Sequence, residues 1–453
     1  MHPVAAGGTT IRALDEAFAG EVIRPEDPSY DAARVVWNGM IDRRPALIVR
    51  PTGAADVVTA IRFARDEELP IAVRSGGHSI PGFSTCDDGI VIDLSRMRGV
   101  RVDPERRSAR ANGGALLGEL DHEAQAFGLV CPVGVISHTG AAGLTLGGGM
   151  GRLQRKFGLT IDNLLAADVV TADGTLVHAS ADENPELFWG LRGAGANFGI
   201  VTSLEYRLHP LDRVITSGAV LHPVDRAKEL AALARELVAD GPDELALSFG
   251  LVNEGAPLAY VGVLHSGSLE DAERDLATLR AFGPPTAGSI EAKPYLATQT
   301  MNDEAMQWGY RFSMKSALLR DLPDELIDRL VGHLAKVPEG AHGEFSSWAM
   351  GRAVAAVPEN ATAFAGRDAT YWLAAEILWE DEALDESCRA WARNALADAQ
   401  PFATTGRYVN DVAETGDDVV RSVYGDAKYE RLVALKRAWD PDNVFRLNQN
   451  IRP

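Results

Sequence analysis

Arg74-Ser75-Gly76-Gly77-His78-Ser79 sets two adjacent glycines beside an imidazole. Glycine tolerates positive φ and carries no Cβ, so backbone N–H groups there can close on a large anionic group. His78 adds one reactive side chain at the same spot. A second run, Gly140-Ala141-Ala142-Gly143-Leu144-Thr145-Leu146-Gly147-Gly148-Gly149-Met150-Gly151, is denser in glycine than any other part of the chain. A third small-residue cluster is Arg192-Gly193-Ala194-Gly195-Ala196-Asn197-Phe198-Gly199, followed by Ile200 and Val201. One such cluster alone is usually a turn. Three of them, each beside a strand-like segment, point to a phosphate-bearing cofactor. None has the G-x-G-x-x-G spacing of a dinucleotide-binding βαβ unit, and no G-x-x-x-x-G-K-[ST] loop is present. No His/Asp/Glu cluster has metal-ligand spacing, and no G-x-S-x-G elbow occurs.

The elements that must position these loops are legible from apolar spacing. Before the first loop, Leu69 to Val73 reads as a short strand, and Gly89 to Leu94 as the next. Pro45 to Val49 is a further strand, followed by an amphipathic helix from Ala54 to about Glu68. A helix from about Ala115 to Phe127 ends at Gly128, a fitting left-handed cap. Leu164 to Thr171 and Ile200 to Leu204 are strands. Near His209-Pro210 the texture changes: glycine clusters vanish and strands alternate with helices to about residue 400. Helices are expected at Ala227–Val238, Asp271–Ala281 and Asp324–Ala335, and strands at Leu245–Val252, Leu258–Leu264 and Tyr371–Trp379. A last helix is expected at Lys428–Ala438. The fold class is α+β. Its expected parts are an N-terminal domain over 1–210, an antiparallel sheet with helices over 211–405, and a returning segment over 406–453.

Composition bounds the partners. The chain has 453 residues, 44 Lys+Arg against 64 Asp+Glu, and a net charge of −20. That balance opposes phosphate-backbone binding and an anionic membrane surface. Three widely spaced cysteines, Cys86, Cys131 and Cys388, form neither a disulfide framework nor a CxxC site. Met1 to Gly8 lacks the basic and apolar regions of a secretory signal. No apolar run approaches the ~18 residues of a membrane span. A cytoplasmic protein with no nucleic-acid or membrane partner is expected.

With these motifs assembled, the chain resembles the berberine bridge enzyme-like FAD-linked oxidoreductases, within the p-cresol methylhydroxylase/vanillyl-alcohol oxidase type of FAD-binding fold. The matching pieces run in order: Trp37-Asn38, Val73 to Ser79, Ile92 to Ser95, Gly143 to Gly151, Gly158 to Leu164, Arg192-Gly193 with Asn197 to Thr202, Tyr429 to Leu432, and Phe445 to Ile451. The resemblance covers the ends of the chain and is loose in the middle third.

The resemblance implies an FAD site built in two subdomains and completed by the C-terminal segment. Its expected residues are Arg74, Ser75, Gly76, Gly77, His78, Ser79, Gly140, Gly143, Gly147, Gly148, Gly149, Gly151, Asn197, Gly199, Ile200, Val201, Gln449 and Asn450. His78 is the expected covalent anchor, bonded to the 8α-methyl of FAD. Some relatives add a cysteine bond to flavin C6. The register puts that position near Ile136 or Ser137, so Cys131 is expected to be a buried apolar residue and the flavin to have one link.

The resemblance also suggests a catalytic tyrosine, matched by Tyr408 in Arg407-Tyr408-Val409-Asn410-Asp411. The plainer reading of Tyr408 is an ordinary strand tyrosine. Asp411 departs from the family's frequent aromatic residue. Trp348 stands where sugar-oxidising relatives carry an activating aspartate, which weakens the case for a carbohydrate substrate. Tyr310, Arg311, Lys315, Tyr371 and Trp372 are candidates to face a small, partly apolar substrate, with one of Tyr371 and Trp372 expected in the core. The expected activity is hydride removal from an alcohol or related C–H group, with O2 reoxidising the flavin to give H2O2. A dehydrogenase, a ring-closing or C–N oxidase, and a flavin-binding protein without turnover are the alternatives.

Overall fold

A computed structural model describes residues 14, 16–253 and 255–453; the opening Met1 to Gly8, read above for a secretory signal, lies outside them. Eighteen strands form four sheets among the described residues. With β1 at Glu21–Ile23, β2 at Leu47–Arg50, β3 at Ile71–Arg74 and β4 at Ile90–Asp93, the first sheet has the order β1-β2-β4-β3. β2 and β3 both pair parallel with β4. Parallel strands need a crossover, and the helix Ala54–Asp66 supplies it between β2 and β3. Val57, Ala60, Ile61 and Ala64 bury its apolar face against that sheet. Ser75 to Ser79 leaves the carboxyl end of β3, which is where open α/β sheets place ligands.

The second sheet is antiparallel, with the order β5-β6-β10-β8-β9. Its strands are Val100–Asp103 (β5), Ser108–Asn112 (β6), Leu164–Val170 (β8), Leu176–Ser180 (β9) and Ile200–Arg207 (β10). β7 (Leu129–Val130) and β11 (His209–Pro210) pair separately. The helix before β7 runs Leu117–Gln125, and Gly128 follows at φ +67. The helices Asp417–Tyr424 and Asp426–Trp439 return to this part. Val420, Val423, Leu432 and Ile451 share a core with Leu187, Leu191 and Phe198.

The third sheet has seven antiparallel strands in the order β15-β12-β14-β13-β17-β18-β16. They span Val214–Pro223 (β12), Leu245–Asn253 (β13), Pro257–His265 (β14), Ala287–Pro294 (β15), Arg311–Leu319 (β16), Ala341–Ala349 (β17) and Tyr371–Trp379 (β18). The helices Ala227–Asp240, Asp324–Leu334 and Asp385–Ala399 cover one face. Leu230, Leu326, Leu330 and Trp391 meet Phe345, Leu373 and Ile377 there. Side chains alternate across a strand, so residues 344, 346, 348, 372, 374 and 376 look the other way. The helix expected over Asp271–Ala281 is instead two pieces, Leu269–Asp275 and Ala277–Ala281, broken at Leu276. Tyr408 lies in no strand; it precedes the 3-10 turn Val409–Asp411.

Candidate active site

The uncovered face of the seven-stranded sheet and the three glycine clusters enclose a cavity of about 760 Å³. Ser75 to Ser79, Gly140, Gly143, Gly147, Gly151, Gly193 to Asn197, Gly199 to Val201, Asn448 and Gln449 all line it. The first two clusters touch. A Cβ on Gly76 would stand 2.2 Å from the Gly140 nitrogen, and Gly77 takes φ +74. Ser75 donates from Oγ to the Gly113 carbonyl at 2.8 Å, and Ser79 Oγ accepts from the Phe83 N–H at 3.0 Å. These bonds pin the loop and leave its backbone to the cavity.

Four expected residues are placed elsewhere. Arg74 turns into the protein. Its guanidinium donates to the carbonyls of Ala33, Arg34 and Ser84 and lies 3.9 Å from Asp93, so it braces the loop from behind. Gly148 and Gly149 are not in the cavity wall. Their carbonyls accept from Ile161 and Thr160 in a turn behind it. Asn450 is also outside the wall, and Ile451 beyond it is anchored by its N–H on Asn197 Oδ1 at 2.9 Å. Asn197 Nδ2 donates to the Gln449 carbonyl at 3.2 Å, which ties the tail to the third glycine cluster.

His78 faces the cavity with its ring stacked on Trp37, centroids 4.8 Å apart and planes at 17°. Burial, and then the adjacent His138, pulls its pKa down to about 3, so the imidazole is neutral. A neutral ring nitrogen keeps the lone pair that alkylation requires. Cys131 is fully buried in the second sheet's core, and burial holds its thiol protonated. Ile136, one of the two residues near the expected second-anchor position, lines the cavity as a hydrocarbon.

The walls fit FAD. Ser84 Oγ, Asn448 Oδ1 and Gln449 Oε1 are buried polar atoms without a partner, and all three residues line the cavity. Buried polar groups in native proteins are nearly always bonded, so a polar ligand is the natural partner. Nothing stands within 4 Å of where a Gly143 Cβ would be. Backbone amides and neutral side chains fit a pyrophosphate and flavin edge without net positive charge.

The large sheet supplies chemistry that the sequence reading missed. Glu344 of β17 pairs directly with Glu376 of β18, and Trp348 with Trp372 four residues along. All four line the cavity. Glu344 accepts from Tyr260 Oη at 2.5 Å, and Glu376 from Ser346 Oγ at 2.7 Å. Burial first, and then Glu344, raises the Glu376 pKa to about 8. Asp411 accepts from Ser316 Oγ and Trp372 Nε1, each at 2.7 Å, and burial raises it to about 7. Like charges directly opposite in a sheet are destabilising, and such conflicts cluster at functional sites. The signal was present: period two within Tyr371–Trp379 puts Glu376 on the same face as Trp372, a lone carboxylate in an apolar strand.

Tyr408 lines the cavity, but its oxygen accepts from Gly149 N at 3.2 Å, Met150 N at 3.3 Å and Asn410 Nδ2 at 2.9 Å. Burial, then Asp411, pushes the phenol well up. Arg407, the neighbour that could lower it, pairs with Glu414 at 3.3 Å. Of the candidates to face a substrate, Trp372 reaches the cavity and Tyr371 packs in the helix-covered core. Tyr310, Arg311 and Lys315 are not in the wall. Arg311 grips Asp385 through two 2.5 Å contacts, and Lys315 pairs with Glu414. Among the described residues no carboxylate, histidine and cysteine group could hold a metal, and no helix is long and apolar enough to cross a membrane.

Comparison with known proteins gives a consistent result. Residues 45–180 match the family described as "FAD binding domain", and 407–452 the family described as "Berberine and berberine like". The chain is 37% identical over 457 residues to (R)-6-hydroxynicotine oxidase of Paenarthrobacter nicotinovorans, covering 96% of this chain and 97% of that one. An FAD-linked oxidoreductase of Dictyostelium discoideum is 30% identical across 97% of this chain and 96% of its own. The crystal structure of 6-hydroxy-D-nicotine oxidase from Arthrobacter nicotinovorans superposes with a TM-score of 0.89 at 35% identity, covering 96% and 98% of the two chains. A carbohydrate oxidase from Microdochium nivale shares the fold, with a TM-score of 0.87 at 23% identity over 98% of this chain and all of that one.

Proposed function

The chain belongs to the berberine bridge enzyme-like family of FAD-linked oxidoreductases, and from that premise we propose that it is an oxidase of small cationic amines. It removes hydride from a carbon bonded to nitrogen, and O2 takes the electrons to give H2O2. Of the activities that the sequence suggests, the C–N reading gains over the alcohol reading. The observation that carries it is the half-buried pair Glu344 and Glu376, directly opposed on the cavity wall. Two carboxyls that repel each other are relieved by a bound cation. Trp348 and Trp372, four residues along the same two strands, add aromatic surface to the wall, the Trp348 ring already lying 5.7 Å from the Arg152 guanidinium. The relative named for hydroxynicotine oxidation supports a nitrogenous substrate.

The proposed chemistry divides among the residues. Bound FAD supplies the two-electron acceptor for the hydride, and its anchor is His78. Glu344 and Glu376 bind the ammonium. Hydride leaves only from the neutral amine, because the nitrogen lone pair drives it. Glu376, raised to about 8, is ionised above that pH and can then accept the ammonium proton. Tyr408 holds the Gly149-Met150 turn through its oxygen and is a positioning residue.

A second reading keeps Tyr408 as the base for an alcohol substrate. The three N–H donors at its oxygen favour that reading, because they stabilise a phenolate. Anaerobic titration with amines, alcohols and sugars separates the two by which class bleaches the flavin. Peroxide formed in air separates an oxidase from a dehydrogenase. Acid precipitation tests the anchor: yellow colour stays in the pellet if His78 carries the flavin and moves to the supernatant if it does not.

A further inference from the structure

We infer that His138 is a positioning residue for flavin attachment: it fixes the tautomer of His78 and takes up the proton that bond formation releases. This rests on the reading of His78 as the anchor. His78 Nε2 lies 2.7 Å from His138 Nδ1. One of the two nitrogens must carry the shared hydrogen. With Nε2 of His78 engaged by His138, only Nδ1 is left to attack, and it holds a lone pair only when Nε2 carries the hydrogen. His138 Nδ1 is then the acceptor that keeps His78 in this tautomer.

The relay continues behind His138. The Asp303 carboxylate accepts from Ser137 N at 2.9 Å and Ser137 Oγ at 2.5 Å, which locks it in place. Burial holds the His138 pKa below the ordinary imidazole value, and the Asp303 charge offsets part of that. His78 itself is a poor place for a positive charge, with its pKa near 3. A charge formed on His78 during attack therefore moves to His138. The stack on Trp37 holds the His78 plane while this happens. Sixty residues separate the two histidines, so only the fold brings them together.

The step balances. A bond forms between His78 Nδ1 and the 8α carbon, and one C–H bond of the methyl breaks. The electron pair of that C–H bond remains in the flavin ring, which is reduced. The methyl proton and the His78 Nε2 proton together make up the two hydrogens of reduced flavin, the second passing through His138. O2 then reoxidises the ring and leaves as H2O2. The linked imidazole ends neutral and bonded through Nδ1.

The test compares the purified holoenzyme with His138→Ala and His138→Asn, with His78→Ala as the control. Total flavin per protein and acid-stable flavin are measured separately. The expected result for His138→Ala is full flavin content with at least a tenfold smaller acid-stable fraction, restored by incubation with imidazole in air. His138→Asn places an acceptor near the Nδ1 position but takes no proton, so it links flavin more slowly than wild type and faster than His138→Ala. Fragmentation of the labelled wild-type peptide should report an Nδ1 linkage. Equal acid-stable fractions in wild type and both variants overturn the role of His138, as does a loss that imidazole does not restore. Absence of acid-stable flavin in the wild type itself overturns the reading of His78 instead.

Discussion

Glu376→Gln removes one charge from the cavity wall while keeping the oxygen that accepts from Ser346 Oγ. A charge-assisted hydrogen bond to a buried carboxylate contributes about 1.5–3 kcal/mol, and truncating one partner of such a pair costs about 2–5 kcal/mol. Taking about 3 kcal/mol, kcat/KM for an amine falls roughly 150-fold from recognition alone. Losing the proton acceptor lowers kcat by a further factor of about 100. Folding should respond in the opposite direction. The Glu376 pKa is higher folded than unfolded, so its favourable contribution is present below the unfolded value and is lost as pH rises through about 8. Glu376→Gln should therefore melt higher than wild type at pH 9 and equally at pH 4. The assay is stopped-flow flavin reduction by an amine, with melting curves on the same samples. A kcat/KM within about threefold of wild type, with unchanged melting at pH 9, would refute the reasoning.

Four further outcomes follow from the same geometry. Below pH 8, kcat/KM for amines should fall as Glu376 and then Asp411, near 7, take up protons, and Glu376→Gln should remove the upper of the two limbs in a pH–rate profile. Tyr408→Phe leaves the N–H groups of Gly149 and Met150 without their acceptor, which costs about 1–3 kcal/mol in stability; the amine account expects less than about a tenfold change in kcat, whereas a general base would cost about a hundredfold or more. Gly147→Ala puts a Cβ 2.0 Å from Asn410 Oδ1, and the resulting shift should cost about 1–3 kcal/mol and reduce flavin per protein, measured by absorbance. Lys436→Met strands the fully buried Asp440 and removes donors to the carbonyls of Asn197 and Phe445, so chemical denaturation should show a loss of about 3–5 kcal/mol.

The ends of the chain were the easier part to read. Their glycines occur at defined offsets from strands, and the approach of Gly76 to Gly140 shows why no larger residue serves there. A motif marks Arg74 without saying which way its side chain turns; here burial and three carbonyls draw it inward. In the middle third, β18 stood out through its apolar residues, while β12, β15 and β16 did not. Gly218 interrupts β12, β15 is an exposed edge strand, and β16 buries Ser313, Lys315 and Ser316 among its apolar residues. The carboxylate pair needed strand register, because Glu344 and Glu376 meet only across β17 and β18. His78 and His138 likewise needed the fold to bring two loops together.

Anaerobic mixing of the purified flavoprotein with matched amines and alcohols at pH 8.5 tests the central claim most directly. The wall of Glu344, Glu376, Trp348 and Trp372 predicts loss of the oxidised flavin band with amines and none with their hydroxyl counterparts or with sugars. Bleaching by neutral alcohols or sugars, with every amine inert, would contradict it.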